Sequence, residues 1–320
     1  MVTVRGKDTT RGIDNLYRRL HGRLRGEMLR DVPLSGYTSF RIGGPADLVV
    51  APKGQEDLVL VCQALLEEGC RFTVLGKGTN VLVADSGYRG VVVLLTPGLK
   101  RTRIKGEGEV YVESGCLLNR LITWCMEHGL AGMEELSGIP GSLGGAVRMN
   151  AGAHGRCMGD AVRSVRVLKL EGEQVAEKEL TPEEVGFGYR RSAGIGDGDI
   201  IYEVKLNLYY EDKERIRAKR EMYLAWRRER QPLHRPSAGS VFLNPPGVSA
   251  GEVIERCGLK GAREGDALVS PKHANFIVNA GRATAEEVLR LMNRIKEEVF
   301  RREGIELQEE IKLIGFGEGE

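Results

Sequence analysis

The sequence predicts an α+β protein of two or three domains, and three observations predict it. Its 320 residues exceed one ordinary domain, since domains commonly run about 100–150 residues. Short apolar strand-like runs bounded by glycine turns mix with amphipathic helical stretches over the first two thirds of the chain. At Glu211 the pattern changes to a strongly charged helix, followed by a remainder with its own apolar residues. That change sets a domain boundary near 209–212.

Each element follows from its local pattern. Residues 12–29 put apolar and basic positions at helical spacing, which predicts a peripheral amphipathic helix with Arg18, Arg19, Arg23 and Arg25 on a solvated face. The segment YTSFRIGGPADLVVAP is extended, turns at Gly43-Gly44-Pro45 and ends in an apolar strand over 48–51. A helix over 56–68 buries Leu58, Val61, Leu65 and Leu66, and a strand over 72–75 leads into GKGTNVLVADSGYRGVVVLL, which reads as strand, glycine turn, strand, loop, strand. A strand over 110–113 precedes a helix over 117–128, and strands over 165–170 and 200–208 bracket a polar hairpin and EEVGFGYRRS. The charged helix spans 211–230, about five turns, and ends in the four-proline loop QPLHRPSAGSVFLNPPG. Helices over 249–257 and 284–302 and strands around 267–278 and 307–314 complete the chain.

Composition excludes several classes. Hydrophobic content of 41% and charged content of 29% belong to an ordinary globular chain, and a net charge of +2 leaves room only for a local basic patch. No apolar run reaches about 18 residues, so no membrane span is expected. The N-terminal stretch is basic without an apolar h-region, so no secretory signal is expected either. Six scattered cysteines form no C-x-x-C pair and none stands at zinc-ligand spacing with a histidine. No metal is expected, and a reducing cytoplasmic setting is.

The most informative stretch is SGIPGSLGGAVRMNAGA, residues 137–153, with five glycines, one proline and a single charged side chain. Glycine packs nothing and loses the most conformational freedom on folding. A run of this kind suits close approach of main chain to a ligand, with N–H groups meeting phosphate or ring oxygens. A tightly turned loop wedged between packed elements is the alternative. Neither this run nor GKGTN (76–80) has Walker spacing, and GKGTNV lacks the third glycine and following helix of a dinucleotide fingerprint. Two glycine turns with an Asn-Ala-Gly-Ala stretch fit a long ligand with a pyrophosphate in its middle, FAD among them.

Four segments jointly resemble the UDP-N-acetylenolpyruvoylglucosamine reductases: TSFRIGGPAD (38–47), GKGTNVLVADSGYRG (76–90), SGIPGSLGGAVRMNAGAHG (137–155) and AGSVFLNPPG (238–247), with GYR (188–190) between the last two. The resemblance spans roughly 33–315. It implies a vanillyl-alcohol-oxidase-like, PCMH-type FAD-binding module of two subdomains over 33–210, split near 96–105. An N-terminal helical segment (1–32) precedes it and a C-terminal α+β substrate domain (211–320) follows. The family reduces FAD with NADPH, passes hydride to the methylene carbon of an enolpyruvyl ether of UDP-N-acetylglucosamine and protonates the neighbouring carbon. This makes UDP-N-acetylmuramate for peptidoglycan.

By position, the resemblance implies non-covalent FAD at Arg41, at Gly76, Lys77, Gly78, Thr79, Asn80, Val81 and Leu82, and at Ile139, Pro140, Gly141, Ser142, Gly144, Gly145, Ala146, Asn150, Gly152 and Ala153. His154 adjoins this stretch; related flavoproteins can tether FAD through a histidine, whereas the match here consists of backbone turns. Negative charge developing on the α-carbon and carboxylate calls for a cation and a proton donor. The family pattern assigns Arg190 to the charge, Ser240 to the proton and Glu310 to orienting or polarising both. Counting back from IKLIG selects Glu310 over Glu309, although Gln308-Glu309 replaces the family's usual proline pattern. Tyr189, Arg230, Asn244, Lys260 and His273 are the expected substrate contacts.

Plainer readings stand beside these. Arg190-Arg191 reads as a surface pair, Ser240 as a turn serine, His273 as a packed histidine, and the 211–230 helix as a solvent-facing one with charges at i, i+4 spacing. Little sequence separates GYR from the 200–208 strand, so the chain resembles the family's shorter form, without the inserted tyrosine loop and with a more open pocket. The expected partners are the nucleotide-sugar and NADPH, with no nucleic acid or membrane, and a monomer. Another oxidoreductase of the flavin fold and a nucleotide- or nucleic-acid-binding protein using the basic helix are the rivals. AGSVFLNPPG and the late glutamate argue against the first, and low net charge against the second.

Overall fold

The computed structural model describes residues 3–4, 10–106, 108–172 and 174–317. Of the expected 1–32 segment, residues 1–2 and 5–9 lie outside the described residues. The chain divides into two units: Met1–Asp31, Asp47–Lys77 and Arg89–Ala225 form one, and Val32–Ala46, Gly78–Tyr88 and Trp226–Glu320 form the other.

The first unit carries two five-stranded sheets. One takes its strands in the order Thr3–Val4, Phe72–Leu75, Tyr88–Leu94, Pro45–Ala51 and Glu27–Pro33, with Phe72–Leu75 parallel to Tyr88–Leu94. Helices Thr10–Leu20 and Gln55–Glu68 contribute Leu16, Leu20, Leu58, Val61 and Leu65 to a core shared with Val50, Phe72, Val91 and Val93. The helix expected over 12–29 ends at Leu20, and Glu27–Pro33 is a strand. Two glycines break the helical spacing. Gly22 adopts φ 75°, and a Cβ on Gly26 would stand 2.0 Å from the Ala51 carbonyl oxygen.

The other sheet of this unit is antiparallel, in the order Gln174–Leu180, Val162–Glu171, Ile200–Asn207, Glu109–Glu113 and Thr102–Lys105. Val165, Val167, Val204, Val110 and Val112 bury one face with Leu121, Ile122 and Cys125 of helix Leu118–Glu127. The edge strand Thr102–Lys105 alternates partly buried and exposed residues, too weak an apolar signal to read from sequence. Within the glycine-rich run lies a helix, Leu143–Arg148, whose Leu143 and Val147 enter the same core.

The second unit has a four-stranded antiparallel sheet in the order Ser237–Ser240, Phe276–Asn279, Ala267–Val269 and Arg263–Glu264. Helices Ala250–Arg256 and Ala285–Glu303 share its core through Val253, Ile254, Val288, Leu291, Met292 and Ile295, joined by Phe40, Ile42 and Leu82. Thr284 caps the longer helix in a capping box with Glu287, and Gly304 (φ 66°) ends it. The strand expected over 307–314 is shorter. Lys312–Ile314 runs parallel to Val81–Val83, while Glu309 makes only an isolated bridge to Phe242. The backbone changes partners between these points and interrupts the strand. Among the described residues no helix is long and apolar enough to cross a membrane.

Candidate active site

In the first unit the glycine-rich segment is a shaped main-chain surface with few side chains to offer. Leu143 and Gly144 donate their N–H groups to the Cys116 and Ser114 carbonyls at 2.8 Å each, which ties the segment to the turn after Glu109–Glu113. Ser142 caps the helix by accepting from Gly145 N at 3.3 Å. A Cβ on Gly76 would lie 2.1 Å from Ser142 Oγ, and one on Gly144 2.9 Å from Ser114 Cβ, so glycine is required for these approaches. The run's only charged side chain, Arg148, is committed elsewhere. It donates to the Ile195 carbonyl and pairs with Asp197 at 2.8 Å, and burial pulls its pKa below the usual arginine value even though Asp197 opposes the shift. A ligand here meets main chain.

Two side chains join this segment to the expected arginine. Phe187–Gly188 and Arg191–Ser192 form a two-residue hairpin whose turn is Tyr189-Arg190, with Arg190 at φ 55° and its guanidinium 5.3 Å from the Tyr189 ring centre. Buried Asn150 donates to the Gly188 carbonyl at 2.9 Å and accepts from Gly159 N at 2.9 Å. Ser192 donates to the Val147 carbonyl at 2.6 Å. The turn bearing Arg190 is therefore fastened on both sides to the glycine-rich run. Neither clamp is legible in the sequence, although Asn150 lies in the expected flavin stretch and Ser192 belongs to GYRRS.

In the second unit four distant segments converge. Gly78 (φ 63°) carries the turn of GKGTN past Tyr37, where a Cβ would stand 2.2 Å from the Tyr37 carbonyl oxygen. Ser39 binds the Gly78 carbonyl through its N–H at 2.9 Å and donates its hydroxyl to the Ser237 carbonyl at 2.7 Å. Asn80 Nδ2 donates to the Glu310 carbonyl at 3.3 Å, and Lys312 N donates to the Asn80 carbonyl at 3.0 Å. Glu310 N in turn donates to the Val241 carbonyl, next to Ser240, at 2.8 Å.

One residue that the sequence does not mark holds this arrangement. Asn275 is 3% exposed; its Oδ1 accepts from Phe242 N at 2.9 Å and its Nδ2 donates to the Phe242 carbonyl at 2.8 Å. Its own carbonyl accepts from Val241 N at 2.9 Å. The only available signal is its place two residues after His273. Of the paired glutamates, Glu309 is bound to Lys296 Nζ at 2.8 Å. Burial alone would raise the Glu309 pKa, but the Lys296 hydrogen bond and charge hold it below the usual value.

The expected substrate contacts all have structural partners. Asn244 Oδ1 accepts from Ala250 N at 3.0 Å at the start of a helix, Lys260 pairs with Glu255 at 2.6 Å, and the Arg230 guanidinium lies 4.8 Å from the Trp226 ring centre. His273 Nδ1 accepts from Asn275 N at 3.3 Å, and burial with the nearby Lys260 charge lowers its pKa, so it is held neutral. Val81 and Leu82 are buried and offer a ligand only main chain. Gly76, Lys77, Ile139–Ala153, Tyr189 and Arg190 belong to the first unit; Arg41, Gly78–Leu82, Arg230, Ser240, Asn244, Lys260, His273 and Glu310 belong to the second.

The residues present fit FAD. The glycine-rich run offers a ligand main chain, its one charged side chain is engaged elsewhere, and the buried hydroxyls of Ser114 and Ser137 beside it make no hydrogen bond with a described residue. Burial pushes the Cys62 and Cys125 thiols up to about 12, far from thiolate at neutral pH.

Comparison with known proteins agrees. Residues 46–176 match the family model described as an FAD-binding domain, and 231–314 match that of the UDP-N-acetylenolpyruvoylglucosamine reductase C-terminal domain. The chain is 43% identical over 297 residues to the UDP-N-acetylenolpyruvoylglucosamine reductase of Heliobacterium modesticaldum, covering 92% of this chain and 93% of that one. It is 40% identical over 293 residues to the reductase of the same name from Carboxydothermus hydrogenoformans, covering 92% and 96%. The crystal structure of the Thermus caldophilus UDP-N-acetylenolpyruvylglucosamine reductase matches with a TM-score of 0.77 at 38% identity, over 91% of this chain and 99% of that one. The expected α+β fold class, an FAD-binding module followed by a C-terminal domain of the reductases, is borne out.

Proposed function

Because the chain belongs to the UDP-N-acetylenolpyruvoylglucosamine reductases, we propose that it reduces UDP-N-acetyl-3-O-(1-carboxyvinyl)-glucosamine to UDP-N-acetylmuramate with NADPH, in the cytoplasmic synthesis of peptidoglycan precursors. It is a flavin-binding oxidoreductase. FAD, when bound, supplies the two-electron exchange between the nicotinamide and the enolpyruvyl double bond. The main chain of Gly76–Leu82, of the Arg41 turn and of Ile139–Ala153 would hold it without a covalent link. The flavin part is assigned to 33–210, split near 96–105, and substrate selection to 211–320. The form is the shorter one, with an open pocket and monomeric.

The chain's own side chains do the rest. Electrons entering at the methylene end leave negative charge on the α-carbon and carboxylate, and the Arg190 guanidinium neutralises it as it forms. Ser240 gives its hydroxyl proton to the α-carbon. A serine hydroxyl is a weak acid, so the charge left on its oxygen needs stabilisation from its surroundings. Glu310 orients the donor and the enolate carboxyl. Tyr189, Arg230, Asn244, Lys260 and His273 contact the nucleotide-sugar.

The observation that carries this reading is the convergence of Asn80, Ser240 and Glu310. Asn80 and Glu310 stand 230 positions apart in the chain and are hydrogen-bonded, while Glu310 N is bonded to the residue after Ser240. Mixing the purified protein with NADPH and the enolpyruvyl nucleotide-sugar tests it. Loss of nicotinamide absorbance matched by the lactyl product is expected. Nicotinamide oxidation without that product, or none at all, would refute it.

A further inference from the structure

The second unit contains an open cleft of about 590 Å³ whose lining includes Arg41, Arg235 and Arg282 but neither Ser240 nor Glu310. A cleft of this volume falls within the range of small-molecule sites, about 300–1,000 Å³. All three arginines are exposed, and none of their guanidinium groups has a hydrogen bond or ion pair with a described residue. Other exposed arginines of this unit, Arg256, Arg294 and Arg301 among them, are paired with carboxylates, whereas these three, from separate segments, line one cleft.

The other polar groups of the cleft are used to build it. Asp85 places its two carboxylate oxygens on the N–H groups of Ala285 at 2.9 Å and Glu286 at 3.1 Å, at the start of a helix. Asn279 Oδ1 accepts from Gly281 N and Ala283 N at 3.0 Å each, and its Nδ2 donates to the Phe40 carbonyl at 3.3 Å. The lining thus carries three guanidinium charges against one carboxylate already engaged by main chain. Such a concave surface of net positive charge concentrates anions, and planar guanidinium forks match phosphate oxygens two at a time. Strand Ser237–Ser240 leads from Pro236, on the cleft, to Ser240. Ser240 lies four residues beyond Pro236, across a register shift in that strand.

We propose that this cleft binds a phosphorylated small molecule bearing at least two negative charges, held by the guanidinium groups of Arg41, Arg235 and Arg282, at a site separate from the flavin, toward which the Arg41 turn would offer main chain only. The diphosphate could be free or part of a nucleotide, so both are probed. The FAD-loaded protein is titrated calorimetrically with inorganic pyrophosphate and, separately, with ADP, at two salt concentrations. Saturable binding that weakens with salt is expected, with at least a tenfold loss in Arg235→Ala/Arg282→Ala and in Arg41→Ala. Binding of either probe supports the site, and tighter binding of ADP identifies a nucleotide as its source. The variant Arg215→Ala/Arg217→Ala removes the same charge from the other unit and should bind as the parent does. Flavin content, read from the visible absorption band, should be unchanged in Arg235→Ala/Arg282→Ala. Absence of saturable binding to the parent, or equal weakening in the control variant, would overturn the proposal. So would flavin loss from Arg235→Ala/Arg282→Ala, or displacement of pyrophosphate by UDP-N-acetylmuramate, since either would return the cleft to the reductase site itself.

Discussion

The glycine-rich segment of the first unit and the Ser240 strand of the second are positioned by different means. The first is shaped by what is missing: Gly76 and Gly144 stand where a Cβ would meet Ser142 and Ser114. Its bracing is mostly main chain and short side chains, with Ser142 capping its own helix, the Cys116 carbonyl receiving Leu143 and Ser192 binding the Val147 carbonyl. The second is shaped by side-chain and main-chain ties from far along the sequence, with Asn275 clamping Phe242 and Glu310 bonding to Val241. A surface built from absent side chains tolerates no additions, whereas one built from long-range hydrogen bonds tolerates no deletions.

That contrast can be broken by substitution. The largest loss should come from Gly78→Ala, in the second unit, where an absent side chain matters as well: a φ of 63° is combined with a Cβ 2.2 Å from the Tyr37 carbonyl oxygen. Denaturant unfolding should show a loss of about 4 kcal/mol. Gly155→Ala, at φ 80° with open space around it, should lose only about 1 kcal/mol by the same assay. Equal losses would show that crowding is not what glycine serves at position 78.

Next is Asn275→Ala, which strips Phe242 N–H and C=O of their buried partners. About 3 kcal/mol should be lost, with slower turnover in the protein that remains folded. A loss below about 1 kcal/mol would mean Asn275 does not hold this strand. Ser192→Ala should cost about 1 kcal/mol, because it removes one hydrogen bond to the Val147 carbonyl. Arg190-dependent turnover should fall with it, and unchanged kinetics would detach this clamp from the site.

The smallest effect is a pH dependence at His273. Burial, with help from Lys260, lowers its folded pKa below the ordinary 6.5. Below that pH the unfolded chain takes up a proton that the folded chain refuses, so stability is full above about 6.5 and declines beneath it. The decline levels off once pH passes the folded pKa. His273→Gln should flatten this part of the stability profile, and an unchanged slope would show that His273 does not contribute.

The contrast also explains what is legible in the sequence. Five glycines in seventeen residues are enough by themselves to announce a main-chain surface, and GYR and AGS mark the places of Arg190 and Ser240. The helix Leu143–Arg148 inside the run is hidden because glycine weakens every local helix signal. Gly22 and Gly26 end the N-terminal helix although apolar residues continue at helical spacing beyond them. Asn275 cannot be recognised as a clamp, because its partner Phe242 lies 33 positions earlier in the chain. The cleft of Arg41, Arg235 and Arg282 brings together three arginines of separate segments that no spacing rule connects.

The most direct test of the reductase account separates the two halves of turnover in Ser240→Ala. Rapid mixing with NADPH follows bleaching of the flavin band, and a second mixing of the reduced protein with the enolpyruvyl nucleotide-sugar follows its return. The account predicts bleaching within about twofold of the parent and a return slowed on the order of a hundredfold. A return as fast as the parent's, or a defect confined to bleaching, would contradict it.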